Sequence, residues 1–178
     1  MNIVLVGMMG AGKTSVARRL GWALNYEVAD TDYLIEKNQK QTINEIFSSC
    51  GVEFFRNLET EVIKNYLNHQ KLVMATGGGI LLTEGNLSLL KQIGYVIYLK
   101  VRRSTLFIRL KRSKRRPLFD ASNTQKFYDL VDQREHIYEE ADLVINTSHL
   151  SVQAVANRII LMHKSKFDRP NGVINESI

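Results

Sequence analysis

The 178-residue chain has a single cysteine, two prolines and one tryptophan. Cys50 has no partner for an internal disulfide, which excludes the disulfide-stapled secreted scaffolds and makes a cytoplasmic protein the simplest expectation. No apolar run approaches the ~20 residues of a membrane span, so no membrane partner is expected. The opening MNIVLVGMMG lacks the basic stretch of a signal peptide and is not expected to be one. Repeats and interdomain linkers are also missing. Acidic residues are absent from one place: between Lys100 and Arg116 there are nine Lys and Arg and no Asp or Glu, so a net charge of +6 becomes −3 without that segment. A mildly acidic body with one basic segment suits an anionic ligand at one place better than a general nucleic-acid surface. A solvated basic face is the plain alternative.

What is present is ordinary for a globular protein, with 44% hydrophobic and 24% charged residues. A chain of this length buries ~70% of the surface its unfolded form exposes. Short apolar runs alternate with longer amphipathic ones. Strands are expected at Ile3–Val6, Glu27–Ala29, Leu72–Ala75, Tyr95–Leu99 and Leu143–Ile145. Helices are expected at Lys13–Leu24, Tyr33–Lys37, Ile43–Ser49, Glu53–Asn68, Leu87–Gln92, Thr105–Arg112, Gln125–Glu139 and Val152–His163. Thr42 and Glu45 form a capping box. The alternation predicts an α/β fold, a parallel sheet with helices on both faces. One domain over 1–163 is expected, with a frayed tail over 164–178, where periodicity fails and Pro170 and Gly172 appear.

The most specific motif is IVLVGMMGAGKT. It sets Gly7, Gly10, Gly12, Lys13 and Thr14 after a strand and before a helix, the context that G-x-x-x-x-G-K-[ST] requires. Glycines let backbone N–H groups face a phosphate, and the helix N-terminus adds positive potential. The stretch from Gly10 through Ala11 to Ser15 is thus a candidate nucleotide site, with Lys13 reaching the outer phosphates and Thr14 able to bind Mg²⁺. Asp30 and Asp32 follow the second strand. Read as extended chain, they share one side. One would hold Mg²⁺, directly or through water, and the other would act as base toward a hydroxyl. A strand-ending Asx turn is the alternative. The usual apolar strand ending in Asp is missing, so Asp30 would supply that acid.

Other residues point to an acidic substrate. Arg56 and Glu59 lie one helical turn apart, either aiming the guanidinium or forming a weak surface pair. Phe127, Val131, Arg134 and Tyr138 share one helical stripe, so Arg134 must snorkel or meet an anion. Gly77, Gly78 and Gly79 allow close backbone approach, and a flexible turn is the alternative. LKRSKRRPLFDASN, a lid over about 112–124, is basic and carries Pro117; RNA binding is a competing reading of it. The four histidines are expected at the surface, and Trp22 in packing.

The ordered set GMMGAGKT, DTD, FR followed by Glu59, TGGG, RRPLF, and Arg134 with Tyr138 resembles the shikimate kinases, a branch of the nucleoside-monophosphate-kinase-like group. The likeness runs from about Asn2 to Met162. It implies a three-layer fold with a five-stranded parallel sheet and a mobile lid. It implies ATP-dependent phosphorylation of the shikimate 3-hydroxyl on the route to chorismate, with Mg²⁺; a monomer is expected because nothing in the sequence marks an interface. Under it Asp32 contacts the substrate hydroxyls and serves as base, and Asp30 stands on the Mg²⁺ side. Arg56 and Arg134 hold the carboxylate, and the backbone of Gly77, Gly78 and Gly79 meets the ring. Phe47 and Phe55 line the pocket, Arg116 is the lid arginine on the transferred phosphoryl, and Arg109 lies against adenine. The turn near Asn146–His149 does not match the family's adenine loop. A kinase for another small metabolite such as gluconate is the nearest alternative, and a non-catalytic nucleotide- or RNA-binding protein the next.

Overall fold

The computed structural model describes residues 1–112 and 123–167. Five parallel strands form one sheet in the order β2-β3-β1-β4-β5: β1 Ile3–Val6, β2 Glu27–Asp30, β3 Leu72–Ala75, β4 Tyr95–Lys100 and β5 Leu143–Asn146. The three inner strands are apolar along most of their length because helices cover both faces, whereas the edge strands β2 and β5 expose part of theirs. Helix α1, Lys13–Leu24, follows β1 and packs along α7, Val152–Phe167. Between these come α2, Thr31–Gln39; α3, Ile43–Asn65; α4, Asn86–Ile93; α5, Arg103–Lys111; and α6, Thr124–Glu139.

Two apolar clusters hold these elements. The larger lies around the sheet. The smaller joins α2 to α3 through Ile35, Ile46, Phe55, Leu58 and Val62. At the amino ends of the strands, buried Asn2 donates from Nδ2 to the carbonyls of His69 (2.6 Å) and Ile93 (2.9 Å) and accepts from Leu72 N (3.0 Å). Since each of those backbone groups is buried or partly so, this amide supplies partners that would be costly to lose.

The structure departs from the sequence expectations at several points. Helices expected at Ile43–Ser49 and Glu53–Asn68 are one element, α3, kinked at Gly51 (φ 82°, ψ 175°) and ending at Asn65. A 3-10 turn at Ile80–Leu82 was not expected. Helix α7 continues to Phe167, four residues into the stretch expected to fray. His163 is buried against Tyr26 and the Met1 carbonyl rather than at the surface. Trp22 is 77% exposed, with the Arg19 guanidinium over its ring, and contributes nothing to the core.

Candidate active site

Chain order reverses direction across β1 and β3, whose carboxyl ends lie side by side. A crevice at that place is where open α/β sheets bind ligands. The β1 end carries the glycine loop, in which Gly7, Gly10 and Gly12 all have positive φ. Lys13 is buried at the start of α1, and its Nζ donates to the carbonyls of Gly7 (2.6 Å) and Met8 (3.0 Å). The ammonium is therefore folded back over the loop, where a phosphate would compete for it.

Asp30 and Asp32 do not share an extended face. Asp30 ends β2 and is the N-cap of α2, its Oδ1 accepting from Tyr33 N at 3.3 Å. Thr31 already begins the helix, because the cap satisfies a free N–H of the first turn. The two acids thus separate into different sites. Asp30 Oδ2 accepts from Thr14 Oγ1 at 2.6 Å, which joins the strand end to α1. A hydroxyl and a carboxylate beside a phosphate loop are hard oxygen donors of the kind Mg²⁺ takes. No cluster of three or more His, Cys, Asp or Glu occurs among the described residues.

Asp32 points instead toward the β3 side. A side chain on Gly77 would begin 2.5 Å from Asp32 Oδ1 and 2.7 Å from Glu59 Oε1. One on Gly79 would run into the Arg56 guanidinium. The triglycine run therefore makes room for this protein's own charged side chains as well as any ligand. Arg56 donates to Glu59, and its guanidinium lies 5.6 Å from the centre of the Phe55 ring. Glu59 is 0% exposed, so this is no surface pair. Burial pushes its carboxyl up to about 7, against the lowering effect of Arg56.

Helix α6 closes the other side. Tyr138 donates to the Gly78 carbonyl and stacks on Tyr98, with ring centres 5.1 Å apart. Arg134 Nη1 lies 3.5 Å from the same carbonyl and is partly exposed. Burial raises the Tyr138 phenol, with Arg134 opposing, so the hydroxyl keeps its proton and donates. Asp32, Arg56, Glu59 and Arg134 thus meet along residues 77–79. Phe47 and Phe55 pack on each other, ring centres 4.8 Å apart, in the smaller cluster behind Arg56.

A cleft of about 360 Å³ lies on the far side of the phosphate loop, walled by Gly10, Gly12, Arg109, Thr147, Ser151 and Val155 among others. Arg109 Nη1 donates to the Gly10 carbonyl at 3.3 Å. Thr147 lies in the turn near Asn146–His149 already weighed for adenine, whereas Leu150 and Ser151 were not foreseen as walls; their signal was position, soon after β5 at the same edge as the glycine loop. The expected lid arginine, Arg116, and Pro117 lie outside the described residues. Elsewhere in the basic segment, Lys100 pairs with Glu135 and Glu139, each at 2.8 Å, and Arg103 pairs with Asp132. The hydrogen bonds it donates to Glu135 and Glu139 hold the Lys100 ammonium more strongly protonated than usual.

A phosphate loop opening toward two arginines and an acid defines a small P-loop phosphotransferase of the nucleoside-monophosphate-kinase-like class, with a pocket suited to a compact anion bearing hydroxyls. The sequence model described as shikimate kinase matches residues 9–164. The chain is 39% identical over 160 residues to the shikimate kinase of Thermodesulfovibrio yellowstonii, covering 89% of this chain and 92% of that one. Its fold is similar to the shikimate kinase of Acinetobacter baumannii solved in complex with shikimate, at TM-score 0.86 and 39% identity, covering 93% and 94% of the two chains. The Aquifex aeolicus shikimate kinase aligns at TM-score 0.82 and 29% identity, covering 95% and 100%. The chain belongs to the shikimate kinase family.

Proposed function

We propose that this protein phosphorylates the 3-hydroxyl of shikimate with ATP, releasing ADP and shikimate 3-phosphate. The observation that carries the reading is the meeting of Asp32, Arg56 and Arg134 along Gly77–Gly79, beside the end of the phosphate loop. Arg56 and Arg134 pair with the substrate carboxylate, since each guanidinium offers parallel N–H donors. Asp32 orients the attacking hydroxyl and accepts its proton as the oxygen–phosphorus bond forms. Lys13 exchanges its loop carbonyls for phosphate oxygens and stabilises charge on the γ-phosphoryl, and Arg116 does so from the lid. Adenine fits the cleft between Arg109 and the turn after β5. Thr14, with Asp30 through water, would hold Mg²⁺, which when bound neutralises charge between the phosphates. Positioning and electrostatics supply most of the rate.

Pairing of Lys100 and Arg103 with acids on α6 leaves less of the basic segment for RNA than its sequence implied. One assay separates the alternatives: ADP release from MgATP with shikimate, gluconate, nucleoside monophosphates or RNA added in turn. Stimulation by shikimate alone is expected, and stimulation by another addition instead would overturn the assignment.

A further inference from the structure

One buried polar atom of the site has no role in the scheme above. Glu59 Oε2 accepts from Arg56, but Oε1 is buried and has no hydrogen-bond partner among the described residues. Such an atom calls for an explanation. Oε1 and Asp32 Oδ1 both border the space that a side chain on Gly77 would enter, a sealed acid facing a partly exposed one. The charged groups facing Glu59 are Arg56 on its own helix, Asp32 on α2 and Arg134 on α6, with the neutral Tyr138 phenol nearby. Two cations therefore balance two carboxylates before any substrate arrives.

We propose that Glu59 is a substrate-linked proton site: it takes a proton from solvent onto Oε1 when a carboxylate substrate settles between Arg56 and Arg134. Three effects act in one direction. The incoming anion adds negative charge near Glu59, the ligand strips water from the pocket, and Arg56 turns part of its hydrogen bonding from Glu59 to the substrate. Each favours the neutral acid. Its ordinary value of 4.5 is already raised to about 7 by burial, so the proton is exchanged within the physiological range. The inference rests on shikimate being the substrate.

The test is calorimetric titration of shikimate into the whole protein at pH 7.5, in buffers of different ionisation enthalpy. Uptake of about 0.5–0.8 proton per shikimate is expected, with affinity falling toward tenfold per pH unit above neutrality. The variant E59Q should bind with no proton uptake and a flat pH profile. A residue that only aimed Arg56 would leave the wild type without uptake. Shikimate binding without proton uptake overturns the inference and leaves the substrate assignment standing. Uptake that persists in E59Q overturns it as well, by placing the proton elsewhere. Failure of shikimate to bind overturns both.

Discussion

Single residues divide the labour of the pocket by burial and by what each faces. Asp32→Asn removes the proposed proton acceptor and keeps the shape, so kcat should fall by ~10²–10⁴ while ATP binding holds; an unchanged kcat in steady-state assays would remove Asp32 from that role. Arg134→Ala should weaken shikimate binding by roughly 1.5–3 kcal/mol, the worth of a hydrogen bond to a charged group, read as Kd by titration. Glu59 gives a pH dependence of stability. Its folded-state pKa, about 7, lies above the ordinary 4.5 because of burial. The folded protein thus holds the proton more tightly, and this contribution is present below about pH 4.5 and lost as pH rises through about 7. Relative to E59Q, the wild type should lose roughly 2–3 kcal/mol between pH 5 and pH 8 in urea unfolding. A wild type that gained on E59Q over that range would mean that Glu59 is held ionised. Sequence spacing put Arg56 beside Glu59 and singled out Arg134 and the glycines, which the fold brings together, yet a spacing of two says nothing of burial. It took the fold to show that Glu59 is sealed and that Asp30 and Asp32 serve different places.

At the scale of elements, most of the architecture was legible. Short, largely apolar runs of three to five residues and the glycine loop marked all five strands to within a residue, because inner parallel strands must be apolar on both faces. Thr42 and Glu45 do form the capping box. What was not legible depended on backbone angles. Asp30 caps α2 and so starts it two residues early, while Gly51 bends one helix where the pattern gave two. At φ 82° and ψ 175°, Gly51 occupies a region that side-chain-bearing residues avoid, although nothing would crowd a Cβ there. Gly51→Ala should therefore cost about 1–3 kcal/mol from backbone strain alone. Chemical denaturation measures it; a loss below a few tenths would mean that the kink relaxes into continuous helix. Residues on both sides of the kink pack with α2 in the smaller cluster, where Phe47 lies on Phe55 behind Arg56.

Across the whole molecule, the proposed substrate pocket has two walls of different origin. Helices α2 and α3 form one, joined by their own small cluster. Helix α6 forms the other, moored by Lys100 to Glu135 and Glu139, by Arg103 to Asp132 and by Tyr138 on Tyr98. A ligand that bridges Arg56 and Arg134 ties these walls together. Shikimate at a hundred times its Kd should stabilise the fold by about 2.7 kcal/mol, a rise in Tm of roughly 5–10 °C in a thermal scan. No rise at saturating shikimate would refute the bridging. The basic segment, legible as charge, moors α6 in its described part, and its acidic partners lie 29 to 39 residues along the chain. The hole at Gly79 limits how this protein can change with time. Because the Arg56 guanidinium lies where a Cβ on residue 79 would stand, an alanine there would push the guanidinium aside, and a shorter side chain at 56 would free that space. The two positions share one volume, so a change at either is felt at the other.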